Sequence, residues 1–187
     1  MIGSCWLSQT LINNQWHMMW SFSGKGDQGD SALFDGRRIS KGDMIFELLG
    51  TLDEANAFLG LAISQCENSE LKTDLSQIQD DLMNLMGIIA KADSPNHDRD
   101  TSMDYALEWL EKRMAEYEKT VQNPRAFLYP GKTTLGASID ISRTIIRRAE
   151  RIAVRHFNVQ DGAWGEILVY LNRLSSFLYI LRLSADL

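Results

Sequence analysis

Apolar residues recur every three or four positions over most of this chain. Phe46, Leu49, Leu52, Leu59, Ala62 and Ile63 mark one run from Ile45 to Gln65. Leu71, Leu75, Ile78, Leu82, Leu85, Met86 and Ile89 mark a second from Glu70 to Lys91. This spacing places the apolar side chains on one face of a helix. Asp93-Ser94-Pro95-Asn96 interrupts the pattern, as a polar cluster with proline does. A third helix is expected from Thr101 to Val121, where Tyr105, Leu107, Trp109, Leu110, Met114 and Tyr117 lie among many charges that form a solvated face. Asn123-Pro124 closes it, and Phe127-Leu128-Tyr129-Pro130-Gly131 reads as a short extended or turn segment. Thr133 or Thr134 can cap a fourth helix that runs to about Phe157. After a turn at Asp161-Gly162, a last helix from about Ala163 to Ala185 is apolar on nearly all sides, which predicts deep burial. Residues 21–43 are rich in glycine and charge and read as a loop. No stretch alternates as a strand does. The expectation is an all-α bundle of five helices with short connections behind an N-terminal glycine-rich loop.

Composition narrows this picture without redrawing it. A chain of 187 residues, 44% hydrophobic and 24% charged, is a soluble globule with one core. The domain is expected to occupy 21–187, with 1–20 as an extension of undetermined role. The net charge of −6 argues against general binding to nucleic acid or a membrane surface. Cys5 and Cys66 suit neither a disulfide framework nor paired metal ligands, so a reducing, cytoplasmic setting is the expectation. His17, His97 and His156 are scattered. No run of about 18 apolar residues is present to span a membrane. The segment Met1 to Trp20 lacks a basic start, a continuous apolar core and a small-residue cleavage site, so it does not read as a signal peptide.

One segment departs from the acidic balance. Arg143-Thr144-Ile145-Ile146-Arg147-Arg148-Ala149-Glu150-Arg151 holds four arginines against one glutamate, and Arg155 follows one turn later. On a helical wheel Arg147, Glu150, Asp140, Arg151, Arg155 and Arg148 fall within a sector of roughly 160°. Leu135, Ile139, Ser142, Ile146, Ala149 and Ala153 form another side, adjoined by Ile141, Ile145 and Ile152. A planar, permanently charged guanidinium fork suits phosphate or carboxylate. Glu150 is spaced to orient Arg147 or Arg151 by an ion pair. The alternative is a solvated basic face, or ion pairs with acidic neighbours.

Other motifs need discrimination. Gly24-Lys25-Gly26-Asp27-Gln28-Gly29 matches G-x-G-x-x-G, but no strand precedes it and no helix starts on it, so the dinucleotide reading fails. Its glycines still let backbone N–H groups approach an anion. Gly131-Lys132-Thr133-Thr134 resembles the tail of a P-loop but has Ala126 where the first glycine belongs. Gly50-Thr51-Leu52-Asp53-Glu54-Ala55-Asn56 sets two carboxylates and an amide on an apolar helix: an exposed edge, or a partner for an arginine. Asn172 lies in the apolar last helix. If buried, its amide must be hydrogen-bonded, as a structural bridge or to a ligand.

In order, these segments resemble the PduO-type ATP:cob(I)alamin (corrinoid) adenosyltransferases. The resemblance covers roughly Ser21 to the C-terminus. It rests on Ser23 to Gly29 for T-x-T-G-D-x-G, Asp35 to Asp43 for G-G-R-R-x-x-K-D-D, and Gly50 to Asn56 for G-T-x-D-E-L-N. Phe127 to Gly131 stands for F-x-L-P-G, Arg143 to Arg151 for R-x-x-x-R-R-A-E-R, and Tyr170 to Ser176 for Y-L-N-R-L-S-D. The resemblance implies a ferritin-like, up-and-down five-helix bundle that forms a homotrimer with active sites between subunits. It implies transfer of the 5′-deoxyadenosyl group of ATP to the Co(I) of a reduced corrinoid, giving adenosylcobalamin and triphosphate. ATP and the corrinoid are substrates, and Mg²⁺ is bound through the ATP phosphates with no protein ligand assigned. A reductase and an adenosylcobalamin-dependent enzyme are implied as partners, with no nucleic acid or membrane. The implied ATP contacts are Ser23, Gly24, Lys25, Gly26, Ser31, Lys41, Arg147, Arg148, Glu150, Arg151 and Asn172. Phe127 is implied to help remove the lower axial ligand of the corrinoid, and Arg143 to pair across subunits with Asp53.

The chain departs from the family pattern in places. The basic residue of the first loop is displaced by one position and a hydroxyl is lost. Ser176 replaces the final Asp, Lys132 follows Pro130-Gly131 where a second glycine is usual, and Asp140 stands where many relatives have His. These changes leave a second expectation open, a homologue that binds ATP or corrinoid as a carrier or regulatory module with little turnover.

Overall fold

The computed structural model describes residues 24–33, 35–92, 103–156 and 162–187. Five helices carry the fold: α1 (Met44–Gln65), α2 (Ser69–Ala92), α3 (Asp104–Tyr117), α4 (Thr134–His156) and α5 (Gly162–Ala185). They are preceded by two short strands, β1 (Asp30–Ala32) and β2 (Arg38–Ser40).

Three helices, α1, α2 and α4, start where a side chain satisfies free N–H groups of the first turn. The Asp43 carboxylate accepts from Ile45 N at 3.0 Å. Asn68 Oδ1 accepts from both Glu70 N and Leu71 N at 3.0 Å. Thr133 Oγ1 accepts from Gly136 N at 2.9 Å, which makes Thr133 the cap of α4. The connection between α1 and α2 is three residues long, so α2 must fold back along α1.

The apolar faces converge on one core. α4 packs against α1 and α5, α2 against α1, and α3 against α5. Leu48, Leu52, Leu59, Leu75, Leu82, Leu85, Ile146, Leu174 and Phe177 have no solvent exposure. Burying such a side chain stabilises the fold by about 1.5–3 kcal/mol relative to leaving it in water. Phe177 is contacted edge-on by Trp109 at 6.1 Å and Tyr117 at 5.8 Å, which adds the favourable quadrupole geometry of aromatic pairs.

Polar links tie the helices together. Asp74 of α2 accepts from Arg113 Nε at 2.9 Å, Arg113 Nη2 at 2.7 Å and Tyr117 Oη at 2.8 Å. The Asp74 hydrogen bond holds the Arg113 guanidinium even further above its usual pKa. Asp81 of α2 accepts from Gln77 Nε2 at 2.9 Å and from the buried Tyr170 Oη of α5 at 3.2 Å. Burial raises the Asp81 pKa, and the two hydrogen bonds only partly oppose it.

Three expectations are corrected. The glycine-rich segment is not loop throughout: β1 and β2 pair antiparallel with Asp30 opposite Ser40, Ser31 opposite Ile39 and Ala32 opposite Arg38. Three residues are too few for alternation to register in a sequence. Arg38 closes the hairpin onto Asp30 at 2.8 Å, and that hydrogen bond lowers the Asp30 pKa. The last helix is not buried on all sides: Val169, Asn172, Arg173 and Ser176 form an exposed strip, because α3 and α4 leave that side open. The third helix ends at Tyr117 rather than Val121, with turns between, since Glu118 and Lys119 bring no apolar contact to prolong it.

Candidate functional site

α4 divides as its wheel predicts. Ile139, Ser142, Ile146, Ala149 and Ala153 are at or near zero exposure against α1 and α5. Arg147, Arg148, Arg151 and Arg155 are exposed on the other side. Ile141 is 41% exposed, so it belongs to the open side rather than the packed one.

The arginines do different things. Arg143 Nε donates to Asp140 at 2.7 Å within the same helix. Arg148 crosses to α1 and pairs with Glu54. Arg151 donates to the Arg147 carbonyl at 2.9 Å. The Arg147 guanidinium has no hydrogen-bond partner among the described residues, and it lines two neighbouring hollows. One, of about 430 Å³, is bounded by Arg147, Glu150, Arg151, Val154, Arg155 and Asn172. The other, of about 390 Å³, runs between α3, α4 and α5 past Arg143, Arg147, Ser175, Ser176 and Tyr179. A permanently charged side chain left without a counter-ion at the mouth of two cavities suits an anionic ligand.

Glu150 does not orient an arginine, as its spacing suggested. Its Oε1 accepts from Asn172 Nδ2 at 3.0 Å. Asn172 itself is exposed rather than buried, and it lies on the strip of α5 that the bundle leaves open. The pair joins α5 to α4 across the floor of the arginine hollow.

The glycine loop is folded tightly on itself. Gly24 has φ 68° and Gly29 φ 78°, a region that L side chains other than glycine rarely adopt. Asp27 N donates to Gly24 O at 3.1 Å and Gly29 N to Gly26 O at 3.3 Å. Lys41 Nζ donates to Gly26 O at 2.9 Å, and Arg38 Nη2 donates to Lys25 O. Lys41 and Gly26 therefore meet each other rather than α4. Ser31 lies in β1. Ser23 falls outside the described residues.

Asp53 is exposed on α1, with no hydrogen-bond partner among the described residues. Within one chain Arg143 answers to Asp140, not to Asp53. Asn56 shares the Asp53 side, and its carbonyl O accepts from Gln79 Nε2 at 3.0 Å.

Phe127 is 91% exposed, which removes a core role for its ring. Tyr129 is 86% exposed and meets Phe127 edge-on at 6.4 Å. The turn that presents them passes through Arg125, whose φ is 48°.

Sequence reasoning did not single out Arg182 or Asp186. Arg182 was detectable as a charge four residues before Asp186 in an otherwise apolar helix. The Gly50 to Asn56 segment does supply a partner for an arginine, Glu54 for Arg148; which arginine it meets depends on how α1 and α4 pack.

No helix among the described residues is long and apolar enough to cross a membrane. A family model described as cobalamin adenosyltransferase matches residues 21–185. A corrinoid adenosyltransferase PduO of Citrobacter freundii is 31% identical over 166 residues, covering 88% of this chain, and the chain spans 49% of that relative's length. A corrinoid adenosyltransferase of Bacillus subtilis is 30% identical over 162 residues, covering 84% of this chain and 82% of the relative. Among solved structures, a variant PduO-type ATP:corrinoid adenosyltransferase of Lactobacillus reuteri complexed with cobalamin and ATP superposes with a TM-score of 0.78 at 26% identity, covering 88% of this chain and 92% of the other. Another variant of that protein, complexed with ATP, gives 0.76 at 28% identity, covering 88% and 93%.

Proposed function

The chain belongs to the cobalamin adenosyltransferase family, and from that premise we propose that it transfers the 5′-deoxyadenosyl group of ATP to the cobalt of a reduced corrinoid. The observation that carries this reading is Arg147, an uncompensated guanidinium between two hollows and beside the Glu150–Asn172 pair. Triphosphate leaves as a polyanion, and preorganised donors lower the barrier by meeting that developing charge. In the reaction Co(I) supplies an electron pair to C5′ of ATP. The C5′–O bond breaks, its electrons leave with triphosphate, and cobalt becomes formally Co(III). The nucleophile belongs to the substrate, so the protein's task is to bind, align and exclude water.

Roles follow for individual residues. Arg147 and Arg151 hold phosphate oxygens, and Glu150 with Asn172 fixes the nucleotide beside them. Arg148 joins them by exchanging Glu54 for phosphate. Gly24, Lys25, Gly26, Ser31 and Lys41 form the opposite wall, which reaches α4 of a neighbouring subunit in a homotrimer. Asp53 pairs with Arg143 across the same junction. Phe127 stands against the lower face of the corrinoid and keeps a lower ligand away; its exposed ring gains about 1.5–3 kcal/mol if a ligand covers it.

Mg²⁺ is part of this proposal as MgATP. Among the described residues no three His, Cys, Asp or Glu side chains converge on a point, and the exposed charges of α4 are mainly guanidinium. A guanidinium has no lone pair to offer a cation, so on this face the ion would be carried on nucleotide oxygens. The ion would screen phosphate charge. The electron that makes Co(I) comes from a separate reductase, and the product passes to an adenosylcobalamin-dependent enzyme in the cytoplasm.

The test is to mix the protein with MgATP and chemically reduced cob(I)alamin and to follow loss of the Co(I) absorbance together with release of triphosphate. Binding of both substrates without transfer would overturn the enzymatic reading in favour of a carrier or regulatory module.

A further inference from the structure

The segment 122–133 between α3 and α4 contains no helix or strand. Its two aromatic rings are almost fully exposed and lean on each other. Hydrophobic burial therefore does not hold the loop. Apart from the Thr133 cap of α4, the hydrogen bonds among the described residues that tie it to the helical body run to the end of α5 and the residue that follows it. Arg182 Nη2 donates to Tyr129 O at 2.6 Å. Lys132 Nζ donates to Asp186 O. Thr133 Oγ1 lies 3.0 Å from Asp186 Oδ1, to which it can donate.

Arg182 is 2% exposed, and its Nε lies 3.1 Å from Asp186 Oδ2. A buried guanidinium is expensive to desolvate, and an apolar side chain would pack the end of α5 at less cost. What the guanidinium adds is a directed bond to one backbone carbonyl, two residues from Phe127. A second feature serves the same arrangement. Any side chain at Gly136 would collide with Asp186 Oδ1 and Thr133 Oγ1, so the first turn of α4 is kept bare to admit the Asp186 carboxylate. Arg182 and Asp186 thus hold both sides of the aromatic turn.

We propose that Arg182, braced by Asp186, is a positioning residue that fixes the aromatic loop so that Phe127 stands against the corrinoid. This rests on the adenosyl-transfer reading. Arg182 touches neither substrate and acts through the Tyr129 carbonyl. Loss of the bond lets the loop drift, which harms removal of the lower ligand more than the attack of Co(I) that is already formed.

The test uses the full chain and Arg182→Met, which keeps the side-chain length and deletes the donors. Turnover is measured from cob(II)alamin with a reductant and from chemically pre-reduced cob(I)alamin, with KM for ATP in parallel. The spin-resonance spectrum of bound cob(II)alamin reports the fraction that has lost its lower ligand. The expected result is a loss of about tenfold from cob(II)alamin, the effect of one charge-assisted hydrogen bond, with a smaller loss from cob(I)alamin. The four-coordinate signal should fall, KM for ATP should hold, and Arg182→Lys should recover part of the signal. Equal losses by both routes, or an unchanged spectrum, would overturn the proposal. If Arg182→Met does not fold, Lys132→Met decides. This exposed residue loses only its bond to Asp186, and the proposal stands if the cob(II) route alone declines and falls if it does not. Failure of the unaltered protein to transfer adenosyl at all would instead sink the underlying function.

Discussion

Asn172 of α5 donates its side-chain amide to Glu150 of α4 at 3.0 Å. The bond joins the exposed strip of the last helix to the arginine face and sets the floor of the hollow that Arg147 overlooks. Asn172→Ala should raise KM for ATP about tenfold, the cost of one hydrogen bond to a charged group. Asn172→Asp should do worse, because two carboxylates would then face each other. Equal KM values in all three proteins would remove the pair from the nucleotide site.

Arg147→Ala should weaken ATP by ten- to a hundredfold, about 1.5–3 kcal/mol for a hydrogen bond to a charged group. Corrinoid binding should change little. Calorimetry with each substrate separately reads this directly, and a comparable loss of both would contradict a phosphate role.

Arg143 pairs with Asp140 inside the chain, while Asp53 lies exposed on α1. If they pair between subunits, Asp53→Asn and Arg143→Gln should be non-additive. A coupling of about 1 kcal/mol or more in a double-mutant cycle on trimer dissociation is the expected outcome. Additive losses would leave Arg143 to Asp140 alone. Sedimentation should first give a particle three times the 21.2 kDa chain.

Phe127→Ala should impair reaction from cob(II)alamin more than from pre-reduced cob(I)alamin, by about tenfold in the ratio of the two rates. The ring is 91% exposed, so the melting temperature should hold. A fall in stability with equal kinetic losses would mark a packing residue instead.

Asp81 offers a test of the core. Burial raises its folded pKa, so the folded chain binds this proton more tightly than the unfolded chain does. Stability is therefore lost as pH rises from the unfolded carboxylate value, about 3.9, through the raised folded value, and the loss is complete above it. Asp81→Asn removes this titration. Its melting temperature should fall less than that of the unaltered protein on going from pH 4 to pH 7. Parallel curves would mean that Asp81 stays ionised in the fold without penalty.

The sequence alone determined the five helices, because their three- and four-residue spacing of apolar side chains is local and suits only a helix with one buried face. α1, α2 and α4 begin and end within a residue or two of the positions that periodicity and capping residues indicate. The arginine sector of α4 was legible for the same reason: helical geometry fixes which side chains share a face. Everything that depends on which face meets which neighbour was left to tertiary structure. Asn172 reads as buried in an apolar helix, yet packing by α3 and α4 leaves it on the open strip, bonded to Glu150. Arg148 and Glu54 meet only because α1 lies along α4. The hairpin of β1 and β2 is too short for alternation to reveal, and the Arg182–Tyr129 bond joins positions 53 residues apart. Long-range pairings of this kind depend on relative helix placement, which the summed burial of the core decides and no local pattern encodes.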